Sequence, residues 1–259
     1  DPHDARIIKA FALGLAVATR GMDHLRNRVT LEINARINDD PQFKQALYDG
    51  EVAARPNDYE GKEHAVARCE RVYASGDAVG MCRFNTWLFN SPSLPDCHDF
   101  AGQLQQLTGV EMSAATVEAA GANINGLERL LNHRLGLGPA DDTLPQRWFL
   151  EGVSDGPYQG ERLDPVAFEA LKMRFYEVAG LTEAGLPHPQ WRAALVRAAT
   201  GFAVTIDFPR EAGQPAETVL LDEPVADLAE LRVTLARCRP TLAERLDGEL
   251  SLAIVNGQT

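Results

Sequence analysis

Apolar residues recur at helical spacing over most of the first 198 residues. Residues 4–19 are rich in Ala, Leu and Ile, which predicts a buried helix that ends near Gly21. Ser113 is a plausible cap for a long helix, and residues 164–178 predict another, with Asp-Pro at its start and Gly180 beyond its end. One face of the long helix is predicted to carry Val117, Ala120, Ile124, Leu127 and Leu131.

The periodicity changes from helical to alternating at about Ala199. Residues 202–208 alternate at the period of a half-buried strand. A second strand is predicted near 218–221, a helix at 225–235 and a last strand at 250–254. The pattern therefore predicts a mainly α domain over residues 1–198 and a small α+β module over residues 199–259.

Composition and charge restrict the classes of partner. The 259 residues are 45% apolar and 24% charged, with a net charge of −12. This excess of acidic residues opposes binding to nucleic acid or to an anionic membrane surface. The sequence has no apolar run of eighteen residues and no signal-peptide pattern in its first twenty. We therefore expect a cytoplasmic protein with neither a nucleic-acid partner nor a membrane partner.

Four scattered cysteines, none in a CxxC pair, do not form a disulfide framework. We expect reduced thiols, with Cys69 packed in a helix that begins at Lys62 and continues to Tyr73. The chain starts at Asp1 without Met and stops at Thr259. We therefore expect it to be part of something longer.

The segment 75–82 is predicted to be a loop that carries chemistry. The Asp77 carboxylate could accept two parallel N–H bonds from an amino-pyrimidine edge, and Gly80 would let the backbone approach a flat ligand. Cys82 offers the soft thiolate that iron–sulfur clusters require. Taken alone, however, such a cysteine is more often a small buried side chain, and such an aspartate a turn residue.

Five short strings, in order along the chain, make the pattern more specific. They are Asp77-Ala78-Val79-Gly80-Met81-Cys82-Arg83-Phe84, Asn125-Gly126-Leu127-Glu128-Arg129 with Asn132-His133-Arg134, Asp141-Asp142-Thr143-Leu144-Pro145, Gly156-Pro157-Tyr158-Gln159-Gly160 and Glu183-Ala184-Gly185-Leu186-Pro187. With these strings, about the first 195 residues resemble the aldehyde:ferredoxin oxidoreductase family, whose C-terminal domains are helical. Met81 stands where the family usually has Leu, a conservative apolar exchange.

The resemblance implies a role for each residue of the loop. Cys82 would be one of four thiolates that hold a [4Fe–4S] cluster. Asp77 would hydrogen-bond a pterin, with Gly80 and Met81 in the same cofactor-binding turn. His24 would lie near the metal and take a proton from hydrated aldehyde. The alternative for His24 is a loop histidine hydrogen-bonded to backbone.

The resemblance also implies the reaction, the cofactors and the partners. A small aldehyde would be oxidised to a carboxylic acid at a tungsten (or molybdenum) bis-pterin, and electrons would leave through the cluster to ferredoxin or a similar carrier. The family's N-terminal cofactor domain, which supplies the other three cluster cysteines, is missing from this chain. We therefore expect the chain alone to be inactive. A second copy, in a homodimer, is a further expected partner.

The last 61 residues resemble the ubiquitin-like (β-grasp) sulfur carriers of molybdopterin and thiamin synthesis. The resemblance is carried by Val225-Ala226-Asp227-Leu228 and Leu252-Ala253-Ile254-Val255-Asn256-Gly257. Such carriers work through a C-terminal Gly-Gly, and this sequence stops at Gln258-Thr259 without one. A noncatalytic scaffold, or a sulfur-carrier module for pterin maturation, therefore stays open as an alternative function.

Overall fold

The computed structural model describes residues 4–89, 91–187, 191–198, 201–207, 217–221, 233–234, 237 and 250–255. It divides the chain into two compact units, Asp1–Pro187 and His188–Thr259. None of the helices in the described residues is both long enough and apolar enough to cross a membrane.

The first unit is helical, as the sequence predicts. Its described residues contain one isolated β-bridge, between Leu181 and Pro187, and no strand. Short 3₁₀ turns occur at Thr30–Ile33 and Arg83–Asn85. The helices are α1 (Lys9–Val17), α2 (Ala35–Asn38), α3 (Pro41–Tyr48), α4 (Lys62–Ala78), α5 (Cys97–Thr108), α6 (Ala114–Arg134), α7 (Arg147–Leu150) and α8 (Pro165–Val178).

Helix α4 lies at the centre of the unit, against α1, α5, α6 and α8. Its inward positions are fully buried, among them Val66, Cys69 and Tyr73. The prediction that this helix stops at Tyr73 and that a loop starts at Ser75 is wrong, because the helix continues to Ala78. Ser75 and Gly76 stay helical because their small side chains fit where α4 is crowded by α6 and by Thr86.

The predicted starts of α6 and α8 are confirmed, whereas the helix predicted over residues 4–19 is shorter and covers Lys9–Val17. Helix α1 is buried along its whole length. The Ser113 side chain accepts a hydrogen bond from the Thr116 amide at 3.1 Å, and the Asp164 side chain accepts one from the Ala167 amide at 2.8 Å. These caps satisfy amide groups that would otherwise lack a partner at the starts of α6 and α8.

The predicted buried face of α6 is wrong for part of its length. Val117 is buried, but Leu127 and Leu131 are more than half exposed. Helix α6 instead presents two glycines to its neighbours. A Cβ placed on Gly121 would lie 2.0 Å from the Arg71 carbonyl oxygen. The close approach of α4 and α6 therefore selects the smallest side chain rather than an apolar one.

The second unit contains a four-stranded sheet of order β3-β2-β1-β4. Its strands are β1 (Trp191–Ala198), β2 (Gly201–Asp207), β3 (Glu217–Leu221) and β4 (Leu250–Val255). Strand β1 pairs antiparallel with β2 and parallel with β4, and β2 pairs antiparallel with β3. The three strands predicted after residue 199 are thus present.

Strand β1 was not predicted, because its Ala- and Arg-rich sequence has little strand propensity. Its pairing with β2 places residues 191–198 in the second unit, ahead of the boundary predicted after residue 198. The predicted helix at 225–235 lies mostly outside the described residues, and Cys238 lies wholly outside them. The division at 198 and the ubiquitin-like character of the module stay predictions.

We expect Gly121→Ala to destabilise the chain by roughly 1–3 kcal/mol, because the added methyl group overpacks the contact between α4 and α6. Urea unfolding followed by circular dichroism measures the change. The control is Gly102→Ala in α5, where the methyl group would have no neighbour within 4 Å and should stabilise the helix by about 0.5–1 kcal/mol. Equal stability of the two variants would contradict the proposed constraint.

Candidate cofactor site at the end of helix α4

The candidate site begins where α4 ends. The Met81 amide donates to the Gly76 carbonyl at 2.8 Å, and the Gly80 amide donates to the Asp77 carbonyl at 3.1 Å. This pair of bonds is a Schellman motif, which needs a left-handed residue after the helix. Gly80 supplies it with φ of +76°. The chain therefore reverses direction between Asp77 and Cys82.

Cys82 is exposed, unlike the other two cysteines in the described residues. Its carbonyl accepts hydrogen bonds from the Asn85 amide at 2.9 Å and from the Thr86 hydroxyl at 3.1 Å. These bonds anchor the backbone of Cys82 to the following 3₁₀ turn. Burial raises the pKa of the Cys69 thiol to about 12 and that of the Cys97 thiol to about 11. Of these three cysteines, Cys82 alone is available as a ligand.

Asp77 lies on the last turn of α4 with two-fifths of its side chain exposed. Arg83 approaches Oδ1 of Asp77 at 2.5 Å, and Nε of Arg26 lies 3.5 Å from Oδ2. Arg26 also bonds Glu128 of α6. The Asp77 carboxylate is therefore held by two guanidinium groups and still reaches solvent.

His24 lies in the loop between α1 and the first 3₁₀ turn. Its ring centroid is 6.1 Å from that of Phe11. Arg26, two residues later, reaches Asp77. The structure thus connects the His24 segment to the end of α4 through an arginine that the sequence analysis did not select. No sequence signal distinguishes Arg26 from the other arginines, since its partners are far away along the chain.

The described residues do not make a complete metal site. They contain no group of three or more His, Cys, Asp or Glu side chains placed to hold a metal ion. The site fits one thiolate of a cluster at Cys82 and one carboxylate contact to an organic cofactor at Asp77. The other ligands of a cluster would have to come from outside the described residues.

Several of the family strings meet around a cavity of about 200 Å³ beside the end of α1. Arg129 donates to Asp142 at 2.9 Å and to the Val17 carbonyl at 2.8 Å. Asp142 also accepts from the Tyr176 hydroxyl at 2.6 Å. Because these polar groups are paired with one another, they hold α1, α6 and α8 together.

A buried carboxyl group, Glu70, lies on α4 about two turns before Asp77. The Asn27 amide is 3.5 Å from its Oε1 and also donates to the Gly14 carbonyl. Burial raises the pKa of Glu70 to about 7. The loop that carries Arg26 is therefore joined to α4 by a second contact, and that contact involves a group that titrates near neutral pH.

The family described as "Aldehyde ferredoxin oxidoreductase, domains 2 & 3" matches residues 1–196. The chain belongs to this family. The tungsten-containing aldehyde ferredoxin oxidoreductase of Thermococcus kodakarensis is 28% identical over 184 residues, covering 71% of this chain and 27% of the relative. That of Pyrococcus horikoshii is 32% identical over 110 residues, covering 42% and 17%.

The relatives that match most of this chain are much longer than it. The chain spans about a quarter of their length. A solved structure, the active-site complex BamBC of benzoyl coenzyme A reductase with 1,5-dienoyl-CoA, covers 63% of this chain and 24% of its own, with a TM-score of 0.43 at 19% identity. Family membership therefore rests on the sequence match. It agrees with the helical first unit.

We expect iodoacetamide to modify Cys82 at least tenfold faster than Cys69 or Cys97 at pH 8. The reagent attacks thiolates, and thiols with pKa values of about 12 and 11 are ionised to only about 1 part in 10⁴ and 10³ at that pH. Peptide mass spectrometry after timed quenching measures the three rates. Modification of Cys69 at the rate of Cys82 would show that α4 is not packed as described.

We expect Glu70→Gln to gain stability relative to the wild type as pH rises from 5 to 8. Burial raises the pKa of Glu70 from about 4.5 to about 7 in the folded state. Above about pH 4.5 the unfolded chain ionises this group more readily, so the folded state loses stability as pH rises. The wild type therefore loses roughly 2–3 kcal/mol across this window, and the amide does not. Urea unfolding at both pH values tests this, with exposed Glu111→Gln as the control. A pH-independent difference would contradict it.

Proposed function

We propose that this chain is the C-terminal part of a cytoplasmic oxidoreductase that oxidises small aldehydes to carboxylic acids at a tungsten (or molybdenum) bis-pterin centre. Electrons pass through a [4Fe–4S] cluster to ferredoxin or a similar carrier. The observation that carries the proposal is the turn after α4, which presents one exposed thiol and one exposed carboxylate within six residues. Membership of the aldehyde ferredoxin oxidoreductase family supports it.

Asp77 and Gly80 suit the binding of a flat pterin. The exposed part of the carboxylate can accept two parallel N–H bonds from the amino-pyrimidine edge. A Cβ on Gly80 would find no atom within 4 Å, so a ring system can approach the backbone there. Met81 fixes the turn through its amide and packs against the core. Together these residues bind and orient the cofactor.

Cys82 provides one thiolate to the cluster in this proposal. A [4Fe–4S] cluster needs four such ligands, and the other three come from the N-terminal cofactor domain of the complete enzyme. The anchored backbone of Cys82 fixes where its sulfur enters the cluster. Cys82 would therefore hold the cluster at the same turn of the chain that holds the pterin through Asp77.

His24 accepts a proton from the hydrated aldehyde in this proposal. A neutral imidazole is a suitable base near pH 7. The bound tungsten pterin supplies the two-electron oxidation itself. The protein side chains hold the cofactor, place the aldehyde and remove its proton.

In the complete enzyme, we expect Cys82→Ser to lose most of the cluster iron and at least about 100-fold in ferredoxin reduction. A serine hydroxyl is a harder and far more basic donor than a thiolate and holds iron poorly at neutral pH. Iron content and electron paramagnetic resonance of the reduced protein measure the loss. Cys69→Ser and Cys97→Ser are matched controls and should keep the cluster signal. A normal signal in Cys82→Ser would remove Cys82 from the ligand set.

Asp77→Asn separates the pterin contact from the cluster. The amide cannot form two charge-assisted acceptor bonds, so we expect about tenfold weaker pterin retention with unchanged iron. Pterin extracted as its fluorescent oxidised form, measured beside iron in the same sample, gives both quantities. Full pterin retention in Asp77→Asn would overturn the assignment of Asp77.

A further inference from the structure

Two arginines from different parts of the chain converge on Asp77. Arg83 approaches one carboxylate oxygen at 2.5 Å, and Arg26 approaches the other at 3.5 Å. About nine-tenths of each arginine side chain is buried, whereas two-fifths of the Asp77 side chain is exposed. The carboxylate is therefore held from its protein side and open on its other side.

Each arginine is held by further partners. Arg83 stacks on the Tyr73 ring, with its guanidinium carbon 4.3 Å from the ring centroid, and donates to the Tyr73 carbonyl at 3.0 Å. Arg26 bonds the Glu128 carboxylate and lies 3.3 Å from the Asn125 side-chain oxygen. Both guanidinium groups are thus fixed before any ligand arrives, which makes the carboxylate between them preorganised.

We propose that Arg26 and Arg83 are positioning residues that orient the Asp77 carboxylate as an acceptor for the pterin. This inference rests on the proposed function. An ionised carboxylate has about four acceptor positions. Arg83 approaches Oδ1 and Arg26 forms an ion pair with Oδ2. The exposed side of the carboxylate keeps acceptor positions for the parallel N–H groups of the amino-pyrimidine edge.

Arg26 offers the cleaner test of the pair. Arg83 directly follows Cys82, so its replacement would disturb the turn that carries the candidate cluster ligand. Arg26 reaches Asp77 from the loop after α1 and can be changed without altering residues 77–82. The matched control is Arg68, which lies on α4 and, like Arg26, forms an ion pair with a glutamate of α6, in this case Glu118.

The experiment measures pterin and iron in the cofactor-loaded enzyme after gel filtration. We expect Arg26→Gln to retain about fivefold to tenfold less pterin than the wild type, with unchanged iron, since the ion pair that orients Asp77 is lost. Arg68→Gln should retain pterin as the wild type does. Thermal unfolding of both variants shows whether a general loss of stability explains the difference, which would overturn the inference.

A double-variant cycle with Asp77→Asn tests the route through Asp77. If Arg26 acts through Asp77, the double variant retains no less pterin than Asp77→Asn alone. Additive losses would overturn the inference. The inference would also be overturned if Arg26→Gln retained as much pterin as the wild type while Asp77→Asn lost pterin. That outcome would leave the proposed function intact. Full pterin retention in Asp77→Asn would instead show that Asp77 does not bind the pterin.

Should Arg26→Gln fail to fold, Arg26→Lys provides the same test. Lysine keeps the charge but lacks the planar fork that contacts Asp77 and Glu128 at once. We expect about twofold to threefold lower pterin retention in this variant. Wild-type retention by a folded Arg26→Lys would show that the bridge does not position Asp77.

Discussion

The left-handed conformation of Gly80 is the constraint on which the candidate site depends. Helix α4 is packed on several sides by α1, α5, α6 and α8, so its direction is fixed by burial. A residue with a Cβ at Gly80 would be strained by roughly 1–2 kcal/mol in this conformation. The helix would then end differently, and Asp77 and Cys82 would no longer flank a single reversed turn. The position of both candidate ligands is therefore a consequence of how one helix stops.

Buried charge shapes the region before α4. Glu32 lies between Lys44 and Lys62, and all three side chains are almost completely buried. Both lysines also donate to the Ala53 carbonyl at 2.7 Å. Replacing one of these residues would leave a buried charge without its partner and would destabilise the fold by about 3–5 kcal/mol. Such a cluster couples segments far apart in the chain, and no local pattern of charges predicts it.

Local rules predicted the fold where local chemistry decides it. The caps at Ser113 and Asp164 and the helical character of the first unit follow from side chains within a few residues. The same rules misplaced the end of α4, since Ser, Gly and Asp favour turns but here continue the helix to Ala78. They also missed β1, whose pairing partners, rather than its own propensity, make it a strand.

The residues of the candidate site also differ in whether the sequence could predict them. Cys82 and Asp77 could be selected from sequence because cluster and pterin chemistry demand particular residue types within one short turn. Arg26 could not, because its importance comes from a distance of 3.5 Å to a residue about fifty positions later. A motif therefore identifies the atoms that contact a cofactor, whereas long-range contacts decide their orientation. Relatives that keep the turn but lose the arginine would be expected to keep the ligands and hold them less firmly.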